Sequence, residues 1–583
     1  MFFDDHGLPH FHAQYGEYKA TVDIVSLSLA EGRLPRRALE LVLDWAELHQ
    51  DELREDWELC REHQVPRPCH RRQERRLHSA LDGRGSRRRN SRRGPASLRQ
   101  RRARLPLGMP GRFQSAHNGV AAEALTAFCT HAGTRAFASR SSTSRESANQ
   151  VRRFNCRRGV KSLLTLAFLV QSGVCLLARN DGPFPSPPDK KGLQVQMVPD
   201  AISLGIHHAG LNVSLGQLMD LPQMPTSLKF TSEGRDYFFN SNLVNHLDVE
   251  INPLTDAGIV VYLILLAYPT HDPAKDLLLL HPKAKSDQKY NIAAFNTATK
   301  DGIANYRALV EFLAERYSGA HPECGRVWGW IIGNEVNSQW MWYNLDHKPM
   351  EGVADEYEKA VRIAHDAIIK YTLNARVYLS FDHHWNSSMP GISDQEAYKG
   401  RDFLDTFARI AHEHGDFEWH VAHHPYADDL GNPRTWLDKS AWPNDDSPHI
   451  TFKNLEVLCK HMEKPELLWQ GKPRRIILSE QGIHCLSTPD GETLQAAGFA
   501  YAWEKIARQP LIDAFIWHRH VDHAQEGGLC LGLWTCKQGT INTPDHKRPL
   551  YDLFKKAGTL EWTTAAEFAL PIVGLKSWDD LSK

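Results

Sequence analysis

From Lys191 to the C-terminus the sequence alternates short, apolar, β-rich runs with amphipathic helical segments, and this alternation constrains the fold more than any other feature. Eight runs have strand character: Leu193 to Val198, Ala209 to Leu215, Ile259 to Ala267, Val327 to Asn334, Arg376 to Phe381, Trp419 to His424, Arg475 to Glu480 and Ala514 to His518. Helical periodicity occupies much of the intervening chain, over Tyr306 to Tyr317, Glu356 to Tyr371, Phe403 to His414 and Leu494 to Arg508. Strands alternating with helices read as parallel βα units. Eight such units over 191–583 predict an α/β fold, a closed (β/α)8 TIM barrel with long loops on its C-terminal face. An open doubly wound sheet would carry a glycine-rich phosphate turn after an early strand, and none is apparent.

In such barrels the catalytic groups project from the C-terminal ends of the strands. Here those ends gather Asn212, Asn334, Glu335, Asp382, His383, His384, His423, His424, Tyr426, Glu480, His484, Trp517, His518 and His520. Two glutamates stand apart because each directly ends a strongly apolar strand. Glu335 follows Trp328-Gly329-Trp330-Ile331-Ile332-Gly333-Asn334, and Glu480 follows Ile476-Ile477-Leu478-Ser479. Two carboxyl groups facing each other across a barrel mouth are what cleavage of a glycosidic bond requires. One protonates the leaving oxygen and the other attacks the anomeric carbon or activates water.

Gly333-Asn334-Glu335 at the fourth strand and Ser479-Glu480-Gln481-Gly482 at the seventh resemble the clan A retaining glycoside hydrolases, over about residues 190–560. His424-Pro425-Tyr426 at the sixth strand and Trp517 at the eighth look like supporting positions of that clan. The nearest likeness is an uncharacterised bacterial family within it, so no particular sugar is implied. The resemblance implies Glu335 as general acid/base and Glu480 as nucleophile, with Asn334 on the sugar 2-hydroxyl and Tyr426 orienting Glu480. It implies an oligo- or polysaccharide substrate and calls for no cofactor and no metal. Asn212 stands where the clan often has an arginine at the end of the second strand. Asn212, His383 and His424 join the expected substrate-binding set. Trp385 and Trp517, with Trp340, are candidate stacking platforms for the apolar faces of pyranose rings.

Two other readings stay open. The strand-end histidines His383, His384, His423 and His424, with Asp382 or Glu480, could build a metal-dependent barrel hydrolase. Adjacent strand residues point to opposite faces, so at most one of each histidine pair can face the barrel axis. The other reading is a carbohydrate-binding barrel that has lost activity.

Upstream of the barrel the chain changes character twice. Residues 1–60 read as a small α+β piece, with strand-like composition over Tyr15 to Ile24 and an amphipathic helix over Leu34 to Trp57. The opening Asp5-His6-Gly7-Leu8-Pro9-His10-Phe11-His12-Ala13 and the later Trp45-Ala46-Glu47-Leu48-His49 resemble a small uncharacterised bacterial family with a DHxxPHFHA motif. His6, His10 and His12 are either metal ligands or ordinary residues of a strand turn.

Residues 61–159 are crowded with arginine, contain no lysine and lack a periodic apolar face, despite a formal net charge of only -1 for the whole chain. Such a stretch reads as disordered, as a phosphate-binding arm, or as a mis-joined, out-of-frame segment. No nucleic-acid binding is expected of the barrel. Residues 160–178 follow Arg157-Arg158-Gly159 with a short apolar run, Leu163 to Leu177, and end at Ala178, in the manner of a secretory signal peptide. If Val160 is the true start, the barrel is secreted or periplasmic. The alternative is a buried helix or an uncleaved anchor, although the run is too short for a stable membrane span. Residues 179–190, rich in proline, read as a linker. The ten cysteines form no CxxC pair, which argues against a structural zinc ribbon.

Overall fold

The computed structural model describes residues 182–582 apart from 271 and 286–291, together with 10–15, 18–24, 29–33, 43 and 46 near the N-terminus. The arginine-rich segment 61–159, the signal-like segment 160–178, His6 and most of the helix expected over Leu34 to Trp57 lie outside the described residues. The chain divides into two units, Met1–Pro106 and Leu107–Lys583.

In the first unit the strands His10–Tyr15, Tyr18–Asp23 and Leu29–Gly32 form an antiparallel sheet in chain order. The first two strands pair with Tyr15 opposite Tyr18 and His10 opposite Asp23. Ala20, Val22 and Ile24 are buried. The strand expected near Tyr15 to Ile24 is thus present, with two partners.

The second unit is the (β/α)8 barrel. Its strands are β1 (Lys191–Gln194), β2 (His208–Ser214), β3 (Val260–Leu266), β4 (Val327–Ile332), β5 (Arg376–Phe381), β6 (Trp419–His423), β7 (Ile476–Leu478) and β8 (Ile512–Trp517). Each pairs in parallel with its sequence neighbours, and β8 closes on β1 through Phe515↔Lys191, Ile516↔Gly192 and Trp517↔Leu193. The helices following the strands are α1 (Val198–Ser203), α2 (Ser241–Asp256), α3 (Lys300–Arg316), α4 (Met350–Ile369), α5 (Gly400–Glu413), α6 (Leu455–His461), α7 (Gly491–Ala507) and α8 (Pro549–Lys556).

Local chemistry explains several boundaries. The Asn240 side chain accepts hydrogen bonds from the Asn242 and Leu243 amides at 3.0 Å and so starts α2. Thr299 accepts from the Gly302 amide at 3.0 Å and starts α3. Each contact satisfies amides that the helix cannot pair internally. β1 ends earlier than the expected Leu193 to Val198 because Pro199, placed in the first turn of α1, is preorganised for a helix and lacks the amide a ladder needs. Two short antiparallel strand pairs lie outside the barrel. Leu228–Ser232 pairs with Arg235–Phe239 between β2 and α2, and Trp534–Cys536 pairs with Pro544–Lys547 between β8 and α8.

Strand pleating divides the core into two layers. Tyr262, Ile264, Ile331, Tyr378, Ala422, Ile477, Ala514 and Ile516 fill the barrel interior. Leu263, Leu265, Trp330, Ile332, Val377, Leu379, Trp419, Val421, Phe515 and Trp517 face the helices. The interior is tight enough to require a glycine on β4, since a Cβ on Gly329 would lie 2.0 Å from the Tyr262 ring. Cys324, Cys459, Cys485, Cys530 and Cys536 are free thiols. Among the described residues no helix is long and apolar enough to cross a membrane.

Candidate active site

Past Ile332 the chain leaves β4 through Gly333, whose φ is +74°. A side chain there would crowd Tyr343 as well as strain the backbone. Two residues later Glu335 is itself left-handed, at φ 38° and ψ 52°. This conformation costs a non-glycine residue free energy and persists only where surrounding contacts hold it. Here the Glu335 amide donates to Ser380 Oγ on β5 at 3.0 Å, and the residue is only 8% exposed.

The Glu335 carboxylate meets β6. Oε1 lies 2.8 Å from His424 Nδ1, and the other ring nitrogen of His424 lies 3.0 Å from Ser479 Oγ at the end of β7. The next residue, Glu480, is half-buried and accepts a hydrogen bond from the Tyr426 hydroxyl at 3.3 Å. One imidazole thus reaches from the first glutamate to the neighbour of the second. Burial raises the pKa of Glu335 above the ordinary carboxyl value, and the negative charges of Asp382 and Glu480 add to this against the opposing pull of His424. Burial acts on Glu480 in the same direction but is outweighed by the positive charges of His518 and His424, so its pKa is lowered.

Two further carboxylates frame the pair. Asp382 accepts from Asn337 Nδ2 and Ser338 Oγ, both at 2.5 Å, and from the His384 amide at 2.8 Å, while His384 Nδ1 lies 2.9 Å from its other oxygen. Its burial is thereby offset by the charge and hydrogen bond of His384, which hold its carboxyl well below the ordinary range. On the opposite side Glu526 Oε1 lies 2.7 Å from His518 Nε2 and accepts from Arg519 Nη2 at 3.2 Å. Despite burial, His518 and Arg519 lower its pKa to about 2. His518 Nδ1 meets Gln194 Oε1 at 2.5 Å, and Gln194 Nε2 donates to the Ser479 carbonyl at 3.3 Å, tying β8 through β1 to β7.

The sequence-selected residues separate into two groups. Asn334 is half-buried beside Glu335, and Asn212, on the interior-facing parity of β2, is half-buried as well. His424, Tyr426 and the two glutamates come together as described. His383 stands at the rim, its Nδ1 3.0 Å from the Tyr426 carbonyl.

The tryptophans depart from expectation. Trp517 is fully buried on the helix-facing side of β8, donates to the Leu531 carbonyl at 3.1 Å and packs edge-on against Phe499 and Phe515. It cannot stack on a sugar. Strand alternation aims the next residue, His518, into the mouth instead. Trp385 is also buried, edge-on against His461 at 4.7 Å, and forms part of the outer core. Trp340 is half-buried and stacks on His347.

The expected histidine metal set is not assembled as drawn. Both ring nitrogens of His424 are engaged, and His423 faces outward with Nε2 3.1 Å from the Ile450 carbonyl. A different trio converges: one ring nitrogen from each of His383, His384 and His449 lies within 4.8 Å of the others. Sequence reading missed His449, Ser479 as a bridging group, and Glu526. His449 and Glu526 sit in long loops with no periodic signal, and Ser479 was read only as part of a motif.

A model described as "Family of unknown function (DUF5722)" matches residues 183–581, and one described as "Domain of unknown function (DUF4160)" matches residues 1–58. No curated protein matches the chain. Similar solved structures include a family 39 glycoside hydrolase from Bacteroides cellulosilyticus WH2, at 12% identity and TM-score 0.40, covering 64% of each chain. A β-glucosidase from Pyrococcus furiosus is 14% identical, with TM-score 0.42, over 64% of this chain and 86% of that one. A family 1 β-glucosidase from Thermotoga maritima is 12% identical, with TM-score 0.39, over 62% and 86%. The chain spans just under two thirds of the length of the first of these.

Proposed function

This chain belongs to the DUF5722 family, whose function is unknown, and from the chemistry of its site we propose that it is a glycoside hydrolase. It would cleave an O-glycosidic bond of an oligo- or polysaccharide with retention of configuration, Glu335 serving as acid/base and Glu480 as nucleophile. The observation that carries this reading is the meeting of two strand-end carboxyls around one imidazole: His424 lies 2.8 Å from Glu335 and 3.0 Å from Ser479, the neighbour of Glu480. The opposed proton affinities, raised at Glu335 and lowered at Glu480, accord with it. Paired groups driven apart in this way are suited to act as acid and nucleophile near neutral pH.

In the first step Glu335 gives its proton to the leaving glycosidic oxygen while the Glu480 carboxylate attacks the anomeric carbon, forming a glycosyl ester. In the second, ionised Glu335 takes a proton from water, whose oxygen displaces Glu480 and releases the sugar. Tyr426 would hold Glu480 in line through its hydroxyl, and Asn334 would contact the 2-hydroxyl. The histidine bridge from Glu335 to Ser479 holds the acid against β7.

Incubation of the full chain with a panel of 2-deoxy-2-fluoro aryl glycosides tests this directly. Peptide mapping should locate a covalent sugar on Glu480, and proton NMR of the first-formed product should show the substrate's anomeric configuration. A product of opposite configuration would make the enzyme inverting, and turnover without a label on Glu480 would remove the nucleophile assignment.

A further inference from the structure

At the end of β5 the chain leaves the sheet after Phe381, and the two histidines beyond Asp382 are no longer bound by strand alternation. Their rings lie 4.6 Å apart between centroids, and His449, from the long loop after β6, lies 4.7 Å from His383 and 4.9 Å from His384. The two loops are fastened at this point by main-chain bonds. The Trp385 amide donates to the Pro448 carbonyl at 2.8 Å, and the Ile450 amide donates to the His383 carbonyl at 2.9 Å. Backbone geometry therefore fixes the meeting of the three rings.

Each ring is also oriented from behind. His383 Nδ1 lies 3.0 Å from the Tyr426 carbonyl, which can only accept, so that nitrogen carries the proton. His384 Nδ1 lies 2.9 Å from the Asp382 carboxylate. His449 Nδ1 lies 2.6 Å from Ser440 Oγ and 3.2 Å from the Asp428 carboxylate. A proton on Nδ1 leaves a lone pair on Nε2, and among the described residues the Nε2 of none of the three has a hydrogen-bonding partner. Metal-binding histidines almost always show this pattern, with one ring nitrogen donating to a carboxylate or carbonyl and the other left to the ion.

We infer that His383, His384 and His449 form a binding site for a divalent transition-metal ion of the zinc class, held through their three Nε2 atoms. Ring nitrogens within 4.8 Å of one another need only close to roughly 3.4 Å to surround an ion at the usual Zn–N distance of about 2.0–2.1 Å. Three imidazoles and no thiolate suit zinc, cobalt, nickel or copper, and disfavour calcium and magnesium. Three protein ligands leave a fourth position for water or a hydroxyl. The ion would tie the end of β5 to the loop that begins beside Tyr426, so it would brace the rim next to the candidate catalytic pair.

The test uses the full chain, stripped with a chelator and dialysed, and needs no sugar turnover. Titration with cobalt(II) should raise visible absorption bands of a four-coordinate site that saturate at one equivalent and are displaced by zinc(II). Zinc should also raise the melting temperature. His449→Ala and His383→Ala should each weaken binding at least about 100-fold while leaving the metal-free melting temperature near that of the parent. Asp428→Asn, which removes no ligand, should weaken binding by about 10–100-fold, the usual effect of losing a group that orients a ligand. If a histidine variant does not fold, the parent titration and the Asp428 variant still decide. Absence of cobalt bands and of zinc retention in the parent would overturn the inference. So would binding that is unchanged in the variants, which would place the ion elsewhere, for instance among His6, His10 and His12.

Discussion

His424 Nδ1 lies 2.8 Å from Glu335 Oε1 although the two residues are 89 positions apart, and this contact couples the proton affinity of one strand end to the charge of another. Because the same imidazole also reaches Ser479, a change at His424 should be felt at both glutamates.

Glu480→Ala should abolish turnover of every glycoside the parent cleaves, because the proposed covalent intermediate forms on its carboxylate. Azide should then restore hydrolysis-independent turnover, entering the space left by the side chain and giving a glycosyl azide of inverted configuration. Chromatography and NMR of the azide product check this. An alanine variant with parental rates would show that Glu480 is not the nucleophile.

The pH dependence of kcat/KM should be bell-shaped. Its acid limb follows ionisation of Glu480, whose pKa lies below the ordinary 4.5, and its alkaline limb follows proton loss from Glu335, whose pKa lies above it. His424 pulls both values down, so His424→Asn should move both limbs to higher pH. Glu335→Gln should erase the alkaline limb and lower the rate on natural substrates by about 10²–10⁴-fold, the usual worth of general acid/base help. Initial rates over a pH series decide, and limbs that do not move in His424→Asn would count against the coupling.

Tyr426→Phe removes the hydroxyl that Glu480 accepts from at 3.3 Å. A hydrogen bond to a charged group is worth about 1.5–3 kcal/mol, so kcat/KM should fall by roughly 10- to 100-fold with the melting temperature nearly unchanged. An effect confined to KM would assign Tyr426 to sugar binding instead.

Glu526→Gln tests the outer ion pair. With a folded pKa of about 2 against an ordinary 4.5, Glu526 contributes stability that is fully present above pH 4.5 and is lost as pH falls toward 2. At pH 7 the variant should be less stable by up to about 3 kcal/mol. Urea denaturation of parent and variant should show that gap narrowing steadily below pH 4.5, whereas a pH-independent gap would point to packing alone.

The sequence by itself determined the barrel and the two glutamates. Apolar strand runs and amphipathic helix periods are local properties, written into every few residues of β3, β4 and β6 and of α4 and α5, and a carboxyl that ends an apolar strand is visible without knowing its neighbours. Strand alternation also foretold that His423 and His424 would face opposite ways, which they do. Only the tertiary structure decided what surrounds those glutamates. The register of β4 with β5 and of β6 with β7 brought Ser380 to the Glu335 amide and Ser479 to His424. Long loops carried Glu526 to His518 and His449 to His383, over chain whose path no short-range period encodes. The same reason accounts for Trp517, which stands at the strand end the sequence indicated but turns outward, because the pleat of β8 gives the inward place to His518.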